Sequence, residues 1–141
     1  MSTCLLRILI TGSRDWADKN AIARALIWAI GQQPALIVPD VHGPQCLWDR
    51  ITVVHGAARG AGTIAATIAT AWGMHVEPHP ADWDRYGRSA GYRRNAEMLA
   101  FPLEASRGTR MCMGLARDAG IRVVDWPTDG AALLAKVSTL A

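Results

Sequence analysis

Three short glycine turns, each carrying an arginine, are the residues of this sequence best suited to hold an anion. They are Thr11-Gly12-Ser13-Arg14, His55-Gly56-Ala57-Ala58-Arg59-Gly60 and Ser106-Arg107-Gly108-Thr109. Each ends an apolar run and leads into a helical pattern. Helix N-termini present backbone N–H groups and a partial positive charge. Glycine lets the backbone approach a phosphate closely, and arginine adds charge-assisted hydrogen bonds. Tight strand–helix turns need glycine in any case, and Ser or Thr commonly caps helices. It is the recurrence of three such turns, each with an arginine, that points to a phosphate-bearing ligand. None is a GxGxxG dinucleotide turn or a GxxxxGK[ST] loop, so an ordinary NAD dehydrogenase and a P-loop NTPase are disfavoured.

A second polar constellation runs Asp82-Trp83-Asp84-Arg85-Tyr86-Gly87-Arg88 and then Tyr92-Arg93-Arg94-Asn95. Asp82 or Asp84 is placed to accept from ribose hydroxyls, and Arg94 with Asn95 to close over phosphate or orient a base. Read without a ligand, the same stretch is a solvated loop and helix face with weak ion pairs. Trp16 and Trp83 each follow a candidate turn, and either could stack on a base. Trp28 and Trp72 fall at core spacing. Catalytic signals are sparser. There is no GxSxG or HExxH motif, and the four histidines lack ligand spacing. Asp82, Asp84 and Glu97 are the carboxylates available for acid–base work. Cys112, one turn into a helix, lacks an obvious base and reads as packing. His55, at a strand end, reads as a hydrogen-bonded structural histidine.

The elements that must position these groups follow from periodicity. Residues 5–11 are an apolar run ending at Gly12, a buried first strand. Asp18 caps a helix over 19–31, with Ile22, Ala25, Leu26, Ala29 and Ile30 on one face and Gly31 as its stop. Residues 32–49, rich in proline and glycine, form a loop insertion with a short strand at Leu36–Val38; it is expected to cover the ligand pocket or make a dimer contact. Residues 51–55 form a second strand, 61–72 a helix faced by Ile64, Ala65, Ile68 and Trp72, and 74–78 a third strand. A polar loop over 79–91, a helix over 89–98 and a short strand at 99–103 follow. A helix over 109–119 closed by Gly120, a last strand at Ile121–Trp126 and a final helix over 129–139 complete the chain. This alternation predicts one α/β domain over 1–141, a three-layer Rossmann-like unit with an open, mainly parallel sheet of about five strands.

The composition agrees. Half of the 141 residues are hydrophobic and 19% are charged, as in globular domains. No apolar run reaches the roughly 18 residues of a membrane span, and the N-terminus lacks a signal-peptide pattern. A cytoplasmic protein with reduced thiols at Cys4, Cys46 and Cys112 is expected, without a metal or other required cofactor. The net charge of +3 is too small to indicate a nucleic-acid partner by itself.

With these residues assembled, the chain resembles the YspA-like branch of the SLOG superfamily, Rossmann-like domains related to DprA/Smf and LOG proteins of bacteria and their phages. The matching segments are RILITGSRDW (7–16), ITVVHGAARGAG (51–62), HPADWDRYGRSAGYRRNAEM (79–98), AFPLEASRGT (100–109) and AGIRVV (119–124). The resemblance implies a nucleotide or nucleotide-derived ligand of the ADP-ribose, NAD or AMP kind, held by Gly12, Ser13, Arg14, Gly56, Ala57, Arg59, Gly60, Asp82, Arg94, Asn95, Ser106, Gly108 and Thr109. It also implies self-association, common among such domains. Some relatives hydrolyse nucleoside monophosphates at the N-glycosidic bond, and DprA binds single-stranded DNA. Gly62 stands where the family usually has Asp. Met98 and Leu99 run almost directly into Ala100-Phe101-Pro102, where the family has a longer segment. The LOG catalytic pattern PGGxGTxxE is broken, with Leu103-Glu104-Ala105 before the turn and Cys112 three residues after Thr109. Ligand binding, as a sensor or sequestering domain, is therefore the leading expectation, with N-glycosidic hydrolysis and DprA-like single-stranded DNA binding as the alternatives.

Overall fold

The structure, a computed structural model, describes residues 4–12, 16–57, 59–91, 93–94, 117–118, 120–125 and 132–137. The run Leu6–Thr11 forms strand β1, Ile51–His55 forms β4 and His75–Pro78 forms β5. Between them lie helix α1 (Lys19–Gly31), a small hairpin of β2 (Ile37–Val38) and β3 (Gln45–Cys46), and helix α2 (Ala61–Trp72). A one-turn helix α3 (Trp83–Tyr86) and strands β6 (Arg122–Asp125) and β7 (Ala132–Val137) complete the described elements.

The five long strands form one sheet in the order β5-β4-β1-β7-β6. β1 pairs in parallel with β4 (Leu6 beside Ile51, Ile8 beside Val53), and β4 in parallel with β5 (Thr52 beside His75, Val54 beside Glu77). β7 runs antiparallel to both β1 and β6, so the other four strands share one direction. The α/β, mainly parallel, Rossmann-like architecture stands.

Burial explains the order. Ile8, Ile51 and Val53 are fully buried on the face covered by α1 and α2. Leu9 and Val54, which alternate to the opposite face, are buried too. Such two-sided burial makes parallel strands read as continuous apolar runs. Each fully buried Leu or Ile contributes about 1.5–3 kcal/mol. α1 buries Ala21, Ile22, Ala25, Leu26, Ala29 and Ile30, the expected stripe. Asp18 starts it by accepting the Ala21 N–H at 3.0 Å. On α2 the fully buried stripe is Ala61, Ala65 and Ala69, while Ile64, Ile68 and Trp72 pack beside it half-buried. The small stripe lets α2 lie close against the sheet and α1, with Ala65 shared between it and the face that the spacing predicts.

Three expectations need correction. The final helix over 129–139 is not formed: residues 132–137 are β7, paired from Leu6 beside Val137 to Thr11 beside Ala132. Ala, Leu and Lys favour helix, but β1 and β6 both offer open edges, and a strand between them satisfies both ladders. α1 itself runs to Gly31 as the sequence places it, and Gln32 caps it in a right-handed conformation. The polar loop at 79–91 contains α3 and a 3₁₀ turn at Gly87–Ser89, while residues 90–91 and 93–94 are helical, as expected for the stretch 89–98. The 32–49 segment does not cover the carboxyl edge of the sheet. Its Leu36 is fully buried, its Trp48 meets Trp72 at the far end of α2 (5.8 Å between rings, 54° tilt), and Arg50 accepts from the N–H of Leu5. All of this lies at the opposite, amino-terminal edge. The short strand predicted at 36–38 is real at Ile37–Val38. The strand expected at 99–103 lies outside the described residues, as does most of the helix over 109–119, of which 117–118 are helical.

Among the described residues no helix is long and apolar enough to cross a membrane. Cys4 and Cys46 are free thiols.

Candidate functional site

The strand order turns at β1: β4 and β5 lie to one side, β7 and β6 to the other. Ligands of open α/β sheets favour the carboxyl edge at such a reversal. At this edge the chain leaves β1 through Gly12, β4 through Gly56 and β5 through His79, Pro80 and Ala81.

The turn after β4 is held by its own last residue. His55 is 7% exposed, and its Nδ1 accepts the Ala57 N–H at 3.0 Å. Its proton is therefore on Nε2 when the ring is neutral. Burial holds the His55 pKa below its ordinary value, and the positive charges of His79 and Arg94 act in the same direction. The bond bends the chain so that Ala57 takes φ +55°, a left-handed conformation that costs a non-glycine residue about 1–2 kcal/mol. Three residues on, Gly60 has φ +101° and ψ −139°. Only glycine adopts that region readily, and it turns the chain into α2. Gly60 is the N-cap of α2; no side chain caps the helix, and its first turn holds no acidic residue.

Arg94 reaches this turn from 38 positions away and donates from Nη1 to the Gly56 carbonyl oxygen. A Cβ at position 56 would lie 2.5 Å from that Nη1 and 2.7 Å from Cζ. The absence of a side chain at Gly56 is what gives the guanidinium its place. Gly62 is also closely packed: a Cβ there would sit 3.3 Å from the His55 Cβ.

These groups line a cavity of about 520 Å³ together with residues from the end of β5 and from α3. Its walls are Gly56, Ala57, Arg59, Pro80, Ala81, Trp83 and Arg94. That volume is in the range of small-ligand pockets. Two arginines and a backbone turn give it the chemistry of an anion site, and Trp83, 51% exposed, adds an aromatic surface. Asp82 stands between two lining residues. Its carboxylate accepts the Arg85 N–H at 3.1 Å and so starts α3. The other wall is steadied by β5. Arg7 and Glu77 form an ion pair at 2.6 Å, and Glu77 also bonds His79 Nε2 at 3.1 Å. Burial opposes the Glu77 charge, but the hydrogen bonds and charges of Arg7 and His79 outweigh it and hold the carboxyl below the usual range.

Of the residues expected to hold ligand, Gly56, Ala57, Arg59 and Arg94 come together in this cavity, with Gly60 next to it. Gly12 ends β1 at the same edge but is not part of the lining. Ser13, Arg14, Asn95, Glu97, Ser106, Gly108 and Thr109 lie outside the described residues. Pro80 and Ala81 were not anticipated, because neither carries a chemical handle; their signal is positional, the exit of the strand beside β4. Of the two indoles proposed for stacking, Trp16 is buried in the core and its Nε1 donates to the Asp18 carbonyl, whereas Trp83 faces the cavity. Among the described residues no three His, Cys, Asp or Glu side chains gather as metal ligands would.

A family model described as "YAcAr: YspA, cpYpsA-related SLOG family" matches residues 6–86, from β1 through α3. The chain is also 41% identical over 135 residues to the Gene 61 protein of Mycobacterium phage D29, an alignment covering 85% of this chain and 95% of that relative. No solved structure matches it. The matched residues include both parallel pairings of β4 and the whole turn from His55 to Gly60, and on this ground the chain belongs to the YspA, cpYpsA-related SLOG family.

Proposed function

We propose that the protein binds a nucleotide or nucleotide-derived ligand of the AMP, NAD or ADP-ribose kind at the carboxyl edge of its sheet, as a sensor or sequestering domain. The observation that carries this reading is the joining of Arg59 and Arg94 with the Gly56–Gly60 turn around one cavity. Family membership supports a nucleotide-related ligand. Hydrolysis is less well supported, since the Asp82 carboxylate is engaged in capping α3. Single-stranded DNA binding draws no support from Tyr86, whose ring is already flanked by the guanidinium groups of Arg85 and Arg93 at 5.0 and 4.3 Å.

The test is a thermal-shift panel of AMP, ADP, ADP-ribose, NAD and inorganic phosphate on the wild type and on Gly56→Ala. A ligand at about 100 times its dissociation constant adds roughly 2.7 kcal/mol of stability, a rise of several degrees for a chain this size. The alanine Cβ displaces only the flexible tip of Arg94. The unliganded variant should melt within a few degrees of wild type yet lose most of the ligand shift. No shift with any compound, or an equal shift in Gly56→Ala, overturns the assignment. Mass spectrometry of the AMP mixture separates the readings: intact AMP after hours fits binding, while adenine with ribose 5-phosphate means hydrolysis.

A further inference from the structure

Tryptophan carries the largest apolar side chain, highly buried on average, and its indole offers a broad face on which another ring can stack. In this protein the other described tryptophans are engaged. Trp16 lies in the core, Trp28 stacks beneath the Arg122 guanidinium at 5.0 Å, and Trp48 packs on Trp72. Trp83 differs. It is 51% exposed, and among the described residues it has no ring or cation partner. Its position is nonetheless fixed. Asp82 caps α3 directly before it, and the six-membered edge of the indole passes Gly91, where a Cβ would sit 3.4 Å from Cη2. The indole so held forms part of the same cavity as Arg59 and Arg94.

Resting on the nucleotide reading, we infer that Trp83 is the specificity-determining residue of the site, a stacking platform that selects phosphorylated ligands bearing a planar, unsaturated ring over sugar phosphates lacking one. The arginines and the Gly56–Gly60 turn supply affinity for the anionic part, which a nucleotide and a plain sugar phosphate share. The indole face supplies an attraction that only the ring-bearing ligand can use. Stacking of a base on an aromatic side chain tolerates any base, since each has a π-face. The selection is therefore for a base against no base.

Calorimetric titration with AMP and with ribose 5-phosphate, on wild type, Trp83→Ala and Trp83→Phe, tests this. Wild type should bind AMP roughly tenfold more tightly than ribose 5-phosphate, or better. Trp83→Ala should bring the two affinities together by weakening AMP alone, and Trp83→Phe should keep most of the preference. Melting temperatures near wild type confirm that both variants fold. If Trp83→Ala leaves the AMP preference intact, or weakens both ligands alike, the stacking role is wrong and the anion site stands. If wild type binds neither compound, the nucleotide reading falls and this inference with it.

Discussion

Helices α1 and α2 begin at the same edge of the sheet, each after a parallel strand, yet they begin in opposite ways. At α1 the chain supplies its own anion: the Asp18 carboxylate accepts the Ala21 N–H. At α2 the N-cap is Gly60, which has no side chain, and the preceding turn is held in place by His55 from below and Arg94 from the side. A helix start capped by a carboxylate has its favourable spot for negative charge filled. A start left without one, beside two arginines and a cavity, is arranged to receive charge from elsewhere. On the proposed function, the first is a device for stability and the second for binding. The contrast shows that a glycine turn at a strand end is not in itself a ligand site; what matters is whether the chain has already answered its own helix dipole.

The sharpest way to break this contrast is to give α2 the cap that α1 has. Gly60→Asp and Gly60→Asn both force a side chain into φ +101°. Each should lose about 1–3 kcal/mol of stability, read as a fall of several degrees in Tm. The two differ only in charge. The aspartate variant should bind AMP roughly tenfold more weakly than the asparagine variant, because its carboxylate repels the ligand's phosphate at short range. Equal affinities would mean that the phosphate does not sit at the start of α2.

A smaller effect is expected at α1. Asp18→Ala should cost about 1 kcal/mol, a few degrees in Tm, and Asp18→Asn less, because the amide oxygen still accepts from Ala21. Neither should alter AMP affinity. A loss of affinity in Asp18→Ala comparable to that in the Gly60 variants would make both helix starts parts of one site and dissolve the distinction.

The sequence made some of this legible and not the rest, for physical reasons. β1, β4, α1 and α2 were readable because each carries its own signal: an unbroken apolar run, a helical spacing, an Asp N-cap. The Gly56–Arg59 turn was readable because glycine directly after a buried strand restricts what can follow. β7 was not, because Ala132–Val137 has the composition of a helix and becomes a strand only through the open edges of β1 and β6. Nor is α3 readable as a helix, since four residues show no period and nothing local marks Asp82 as its cap. The reach of Arg94 across Gly56 depends on a tertiary approach that no local pattern contains. Pro80 and Ala81 enter the cavity wall through strand order alone.

The smallest predicted effect sharpens the comparison through pH. Asp18 holds α1 with a carboxylate, whereas His55 holds the turn before α2 with a neutral imidazole. The Nδ1 that accepts from Ala57 cannot do so once protonated. Burial, with the charges of His79 and Arg94, keeps the folded-state pKa below the ordinary value of 6.5. The unfolded chain takes up this proton at its ordinary pKa and the folded chain resists it. The His55 contribution is thus fully present above about pH 6.5 and is lost as the pH falls through the lower folded-state value. In His55→Asn the amide oxygen accepts the Ala57 N–H and nothing titrates. Between pH 7.5 and about 5.5, above the range in which the Glu77 carboxyl takes up its proton, Tm should decline less steeply in His55→Asn than in wild type. A parallel decline would show that the neutral imidazole does not hold this turn. A shallower one would tie the shape of the α2 start to a single proton.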